Sequence, residues 1–337
     1  MSTQRISGAN EVVDAATNSD SLPALSILIV AYNSRHFIRD CIAAIPEACA
    51  DVEHEVIMID NGDDGTAALV EELYGNVRIL PSRGNIGFGS ACNMLAAEAR
   101  GRRLVLLNPD TIAFPGSIAA LHQAAQKFPE FAAIGGASVD RTGHDPKPML
   151  SALPRFSTVW RGMIGMTSND MNILSDRDGS VFEVEAVNGG FCIIDAAVWR
   201  DLGGFDESFF LYGEDVDLSL RIAHLGKSIG YVPSARVFHD VGSGDFFSPA
   251  SHRFKTIAAA HYANKHFSAR RALAYKLVLW LHFLVRYAVG GILGFAVSRY
   301  RSISRANRPV AFNPNCWWHG FKGKGADPRR SFSSKLN

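Results

Sequence analysis

Three carboxylates stand together in FFLYGEDVDLSLR, residues 209–221: Glu214, Asp215 and Asp217. Two kinds of work suit them. A carboxylate can take the proton of a substrate hydroxyl as a general base, or it can satisfy the free N–H groups at a helix N-terminus and oppose the helix dipole. Leu218, Ile222 and Leu225 follow at helical spacing, so capping is the simpler account of this segment taken alone. Capping does not explain the apolar Phe209-Phe210-Leu211-Tyr212 run directly before the acids, which draws them toward a partly buried place.

Three further polar turns carry groups that could do chemistry: Tyr32-Asn33, Asp60-Asn61-Gly62 and Asn108-Pro109-Asp110. Each follows a short apolar run with the length and branching of a buried strand, in LSILIVAYN (25–33), EVIMIDNGDDGT (55–66) and RRLVLLNPDT (102–111). If those strands are neighbours, the turns converge on one sheet edge, where doubly wound sheets bind nucleotides. A carboxylate there can hydrogen-bond a base or ribose. Another can hold a divalent cation that bridges two phosphates, since magnesium and manganese take oxygen ligands from one or two carboxylates, phosphate and water. Taken singly, Asp60 caps the next helix and Asp110 is a turn residue. GNIGFGSACN (84–93) spaces its glycines G-x-x-G-x-G, the reverse of the dinucleotide fingerprint, and does not follow the first strand, so that reading is discounted.

The elements that must position these turns alternate. Helical periodicity covers 36–49 and 67–74, VRIL (77–80) is a third strand, and 84–100 is a loop feeding a helix. Such alternation implies a mainly parallel sheet flanked by helices. Residues 140–182 lose periodicity and read as a long functional excursion. Apolar order returns at VNGGFCIIDAAVW (187–199), and 226–240 reads as one or two short strands.

Residues 254–298 form a separate helical region. LVLWLHFLVRYAVGGILGFAVS (277–298) is long enough to cross a bilayer, but His282 and Arg286 interrupt it. A central Arg costs about 2.5–3.5 kcal/mol on insertion scales, and Gly290 and Gly291 weaken a simple helix. The segment is therefore expected to lie in the interface or re-enter, with Arg270, Arg271, Lys276, Arg299 and Arg301 meeting an anionic membrane surface. Burial against the body, or against the partner in a homodimer, is the competing reading, and a single spanning helix is a third.

Bulk properties agree with a folded protein: 337 residues, 47% hydrophobic and 20% charged. The net charge of +1 hides an asymmetry. From Ser268 onward there are thirteen Lys or Arg and one acid, Asp327, a balance of +12, which leaves −11 on the first 267 residues. The basic tail flanks an apolar run and does not line an aromatic-interleaved groove, so lipid and not nucleic acid is the expected partner. Five cysteines in no zinc-like spacing point to free thiols in a reducing compartment. The polar, acidic first residues lack an apolar core for a secretory signal and read as a disordered lead-in.

In chain order, AYNS, IDNGDDGT, GNIGFGSACN, LNPDT, NGGFCII, GGFDESFFLYGEDVDLSLR and VFH resemble the family-2 glycosyltransferases, and most of all their rhamnosyltransferase-like branch, which builds bacterial surface polysaccharides. The resemblance spans about residues 24–245. It implies a GT-A nucleotide-diphospho-sugar transferase fold over 24–250, after a lead-in at 1–23 and before a helical, basic, membrane-associating region at 251–337. It also implies inverting transfer from a nucleotide-diphosphate sugar, assisted by Mg2+ or Mn2+. By the same resemblance Ala31, Tyr32 and Asn33 form the first nucleotide loop, Asp60 is the base-binding acid, and Asn85, Gly87 and Asn93 belong to a loop beside the nucleotide. Asn108 and Asp110 stand at the DXD position, where Asp110 is the metal ligand because the first acid is replaced by Asn, and His239 matches a histidine near the diphosphate or metal. Gly189 and Gly190 match the turn beside the donor sugar. Asp215 matches the catalytic base, with Glu214 beside it, Asp217 helping to cap the helix, and Phe209, Phe210 and Tyr212 limiting water. Gly62-Asp63 departs from the usual Ser of the second loop, and Asn188 precedes the glycine pair in place of a smaller residue; both bear on base and sugar choice.

The implied donor is dTDP-rhamnose, with UDP-sugars the main rival, and the implied acceptor is a lipid-linked or growing glycan at the cytoplasmic face of the inner membrane. Two other classes compete. A sugar-phosphate nucleotidyltransferase needs a Gly-rich basic loop after strand one, whereas AYNSRHF has no glycine. A non-catalytic, membrane-held nucleotide-sugar-binding subunit would bind donor without turnover.

Overall fold

A computed structural model describes residues 22–163, 173–176, 180–239, 249–295 and 298–321. Most of the expected lead-in, the side chain of Arg299 and the basic residues beyond 321 lie outside these. The chain runs β1 (Leu25–Ala31), α1 (Ile38–Cys49), β2 (His54–Asp60), α2 (Thr66–Leu73), β3 (Val77–Leu80), α3 (Phe88–Glu98) and β4 (Arg103–Leu107). It continues through β5 (Thr111–Ala113), α4 (Ser117–Lys127), β6 (Phe131–Val139), β7 (Lys147–Pro148), α5 (Phe156–Met163), β8 (Ile173–Asp176), β9 (Phe182–Val184) and β10 (Phe191–Asp195). It ends with α6 (Ala196–Asp201), α7 (Glu214–His224), β11 (Ser228–His239), α8 (Pro249–His266), α9 (Ala269–Leu293) and α10 (Ser298–Phe312).

The strands form one sheet in the order β3-β2-β1-β4-β10-β6-β11-β9-β8. β3, β2, β1 and β4 are parallel, β10 runs antiparallel between β4 and β6, and β11 is parallel to β6. All seven residues of β1 are buried, as a strand covered on both faces requires. One core cluster packs α1, α2 and α4 on one face, centred on Ile27, Ile29, Ile38 and Leu121. A second packs α3, α6 and α7 on the other through Leu28, Leu95, Trp199 and Leu218.

Two expectations change. Residues 140–182 are not structureless: they contain β7, α5, β8 and β9. These elements are two to eight residues long, too short to impose a period on the sequence. Of the one or two short strands expected in 226–240, the structure has one, and it is long: β11, Ser228–His239, of 12 residues. A register shift between Tyr231 and Arg236 absorbs Pro233, which cannot donate to a regular ladder, and gives the stretch its interrupted look. The central β6, FAAIGGASV, has few β-branched residues and carries little strand signal of its own.

The C-terminal helices have their own core: Phe254, Ile257, Tyr262, Tyr275, Leu279, Phe283 and Trp317 pack with α5 and with Phe209, Phe210 and Val216. The Phe209-Phe210 pair is therefore the apolar joint between catalytic sheet and helical extension. Phe209 is fully buried, and Phe210 stacks on Phe254 at 6.0 Å between ring centroids. The expectation that both phenylalanines wall the site is corrected, since neither lines it and Tyr212 does.

Candidate active site

Because β2, β1 and β4 are adjacent and parallel, the turns at 32–33, 60–62 and 108–110 open on the same sheet edge. Asn61 N–H donates to the Ala31 carbonyl at 2.8 Å, tying the first two turns. Asp60 is buried, and its carboxylate accepts from Gly62 N (2.8 Å) and Ala67 N (3.0 Å), so it orders its turn and caps α2. Asn33 takes a positive φ of 51°, which Asn tolerates, and Tyr32 is exposed at the edge. The 84–88 loop joins this rim: Asn85 Oδ1 accepts from Gly87 N at 3.1 Å, Asn61 Nδ2 donates to Gly87 O at 3.1 Å, and Phe88 N donates to Phe210 O at 3.1 Å. Asn93 stands apart. Its amide clamps Phe205 in both directions at 2.9 Å, holding the GGFDE turn.

Phe88, at the end of the 84–88 loop, lines a cavity of about 740 Å³, large enough for a substrate-sized ligand, whereas residues 31–33, 60–62 and 85–87 are not among its lining. Asn108, Asp110, Gly189, Gly190, Tyr212, Glu214, Asp215 and His239 all line it. Topology explains how residues a hundred positions apart meet. β10 lies antiparallel on β4, so the Asn188-Gly189-Gly190 turn that enters β10 lands beside Asn108 at the exit of β4, with Asn108 N donating to Gly190 O at 2.9 Å. A β-carbon on Gly190 would sit 2.9 Å from both Asn108 Nδ2 and Asn188 Oδ1, so the glycine leaves room for these two amides beside the turn. β5 pairs with the end of β11 in the register His239↔Thr111, which sets His239 Nε2 3.2 Å from Asp110 Oδ2.

Asp215 sits in the first turn of α7. Ser151 Oγ donates to its Oδ2 at 2.7 Å, with Gly189 N at 3.4 Å, while Val216 N donates to Oδ1 at 2.8 Å. Burial raises its pKa above the ordinary carboxylate value, and the hydrogen bonds from Ser151, Val216 and Gly189 only partly offset that. Tyr212 enters the turn at φ 66°, a conformation costly for an aromatic residue and characteristic of functional sites. Ser151 was not legible in the sequence. It belongs to the aperiodic excursion and reaches the site because Leu150 bridges Val187 across the chain.

The profile of glycosyltransferase-like family 2 matches residues 23–269. The chain belongs to that family. A Mycobacterium tuberculosis N-acetylglucosaminyl-diphospho-decaprenol L-rhamnosyltransferase is 31% identical over 268 residues, covering 73% of this chain and 84% of the relative. The Escherichia coli K12 rhamnosyltransferase WbbL is 24% identical over 66% of this chain and 87% of its own length. A Pyrobaculum calidifontis mannosyltransferase, solved with GDP-Man and Mn2+, superposes with a TM-score of 0.55 at 16% identity, covering 88% of both chains. These neighbours establish the GT-A fold.

In this family-2 glycosyltransferase the three acids of α7 have separate fates. Glu214 is 5% exposed, and its Oε2 has no hydrogen-bond partner among the described residues. Burial, with Asp215 and Asp217 adding to it, pushes its pKa up to about 8, so it is a neutral acid at pH 7. Between its ordinary value of 4.5 and about 8 the folded state keeps a proton that the unfolded state has released. Stability from this group is therefore full below pH 4.5 and is lost as pH rises through 8. Glu214→Gln, isosteric with the neutral acid, is expected to flatten this slope. Between pH 6 and pH 9 its melting temperature should fall less than that of the wild type, and parallel curves would show that Glu214 is already ionised.

Asp217 does not cap α7. Its carboxylate is fully buried and takes Arg221 Nε at 2.8 Å, Lys265 Nζ at 2.5 Å and His266 Nε2 at 2.7 Å. The N-cap is Gly213, which has no side chain to bond the first turn. Asp217 thus clamps α8 to α7, and α8 in turn brings Ser251, Lys255, Ala258, Ala259 and Tyr262 to the cavity wall, beyond the boundary at 250 that the motifs suggest.

Proposed function

We propose that this glycosyltransferase moves L-rhamnose from dTDP-rhamnose, with inversion, onto a lipid-linked glycan. The observation that carries the reading is that Asp110 and Asp215, 105 positions apart in the chain, line one cavity. Donor and acceptor class rest on the M. tuberculosis relative, whose name specifies rhamnosyl transfer to a diphospho-decaprenol-linked sugar. Asp215 acts as general base. It accepts the proton of the acceptor hydroxyl as that oxygen bonds to the anomeric carbon and the bond to the nucleotide diphosphate breaks. Ser151 and the Gly189 N–H hold the carboxylate in place, and Tyr212 screens it from water.

The residues fit a divalent cation. Asp110 and His239 present an oxygen and a nitrogen 3.2 Å apart on the cavity wall beside Asn108. No group of three His, Cys, Asp or Glu suited to a metal occurs among the described residues, so the remaining ligands would be phosphate and water, the usual set for magnesium. A cation held there offsets charge gathering on the departing diphosphate. Ala31, Tyr32, Asn33, Asp60, Asn85 and Gly87 form the nucleotide rim, and Gly189 and Gly190 leave room for the donor sugar. Asn93 serves the rim by clamping the GGFDE turn and not by touching nucleotide.

We place the protein at a membrane surface, peripherally, on its cytoplasmic side. α9 has 25 residues, and its most apolar 18-residue stretch has a mean hydropathy of 1.4. One face is spoken for: Tyr275, Leu279 and Phe283 pack inward, Lys276 Nζ bonds Asn264 Oδ1 at 2.9 Å, and His282 Nδ1 donates to Val159 O at 3.2 Å. Gly290 lets α10 cross closely, since a β-carbon there would meet Ser304 N at 2.9 Å. The other face exposes Leu273, Leu277, Leu281, Val289 and Ile292, with Phe295 91% exposed beyond the helix end. A helix packed on one side and apolar on the other lies in an interface. Arg270, Arg271 and Arg301, all exposed, supply attraction to anionic lipid.

One experiment tests both parts. Protein is mixed with anionic vesicles bearing a polyprenyl-diphosphate-linked N-acetylglucosamine, dTDP-rhamnose and Mn2+. Co-sedimentation and a Mn2+-dependent rhamnosylated lipid are expected. Transfer from a UDP-sugar alone would overturn the donor, and protein left in the supernatant would overturn the membrane placement.

A further inference from the structure

The cavity wall supplied by α8 carries a cation that the motifs do not account for. Ser251, Lys255, Ala258, Ala259 and Tyr262 recur at helical spacing and turn one face of α8 into the cavity. Lys255 is the only Lys or Arg among the described lining residues, which otherwise include Asp110, Glu214, Asp215 and His239 as titratable side chains. Its Nζ lies 5.1 Å from the centroid of the Tyr212 ring, three residues before Asp215. Ala258 and Ala259, one turn on, are small enough to leave space beside it.

We propose that Lys255 binds the diphosphate of the lipid-linked acceptor, and so sets the register in which the acceptor sugar meets Asp215. This rests on the lipid-linked acceptor proposed above. A diphosphate entering a cavity that already holds the Asp110 and Asp215 carboxylates is repelled unless a cation faces it. Burial lowers the Lys255 pKa, and an anion in the cavity would favour its charged form. Lipid, diphosphate and sugar also follow one another in a fixed covalent order. The fold offers the same order, because α9, with its exposed apolar face, packs against α8, and α8 carries Lys255 to the Tyr212 turn that leads to Asp215. The donor's own diphosphate is the other source of the same chemistry, but Asp110 and His239 lie on β5 and β11 and already offer a place for it.

The test measures binding without turnover, by calorimetry on the full chain, with farnesyl diphosphate as one probe and dTDP plus Mn2+ as the other. Lys255→Ala is expected to weaken farnesyl diphosphate at least tenfold while leaving dTDP within about twofold, as loss of one charge-assisted contact predicts. Lys255→Arg should restore most of the farnesyl diphosphate affinity. Alanine favours the helix, and Lys255→Gln repeats the measurement should Lys255→Ala melt early. Equal affinity of wild type and Lys255→Ala for farnesyl diphosphate, or no binding to either, overturns the proposal. A matching loss for dTDP overturns it too, by assigning Lys255 to the donor. Failure of wild-type protein to make rhamnosylated lipid overturns the function proposed above, and leaves this binding result to stand or fall on its own.

Discussion

Asp215→Asn should fold, melt near the wild type and bind dTDP unchanged, yet lose sugar transfer by about two to four orders of magnitude, the usual worth of a general base. The amide keeps the shape of the carboxylate and can still accept from Ser151 Oγ, now 2.7 Å away, so the turn is preserved while the proton acceptor is lost. The wild-type pH profile carries a second readout. Only the ionised base works, so kcat/KM must fall as pH drops through its pKa. Burial has raised that pKa, so the acidic limb should lie above the ordinary value of 3.8 and vanish in Asp215→Asn. A limb near pH 8 that persists in Asp215→Asn and disappears in Glu214→Gln would give the base role to Glu214.

Asp217→Ala should be the most destabilising single change in α7, by about 3–5 kcal/mol, the cost of removing one partner from a buried ion cluster. Asp217 is wholly buried, whereas the Arg221 and Lys265 side chains are 20% and 30% exposed. Lys265 keeps a second partner, Asp206 Oδ2 at 2.6 Å, and Arg221 keeps the Leu202 and Gly204 carbonyls at 3.0 and 2.8 Å, which places the loss at the lower end of the range. Among the described residues His266 keeps no other carboxylate partner, which adds to the loss. Urea unfolding measures it, and a change under about 1 kcal/mol would mean that the cluster contributes no more than a surface ion pair. Because the clamp holds α8, the same variant should also weaken farnesyl diphosphate binding.

The sheet edge was legible because neighbouring parallel strands bring the turns at their C-terminal ends together. The runs ending at Ala31, Asp60 and Leu107 are short, apolar and branched, and their turns hold the polar groups. Legibility stopped where contacts depend on antiparallel or irregular pairing. Nothing local to Ser151 marks it as the partner of Asp215, and nothing in the 249–266 segment separates Lys255 from the other basic residues of α8. Phe209 and Phe210 misled for a related reason: an apolar run announces burial without saying against what.

The amino-acid sequence by itself determined the alternating strands and helices, the polar strand ends, and an apolar C-terminal helix with basic flanks. Period, branching and turn chemistry are local properties, and each can be read within about fifteen residues. Only the tertiary structure decided that two of the three α7 acids, Glu214 and Asp215, line the cavity, that burial favours the neutral form of Glu214, and that Asp217 binds α8. Those fates depend on burial and on partners 26 to 64 positions away, and both come from how the sheet orders its strands and where the last helices dock.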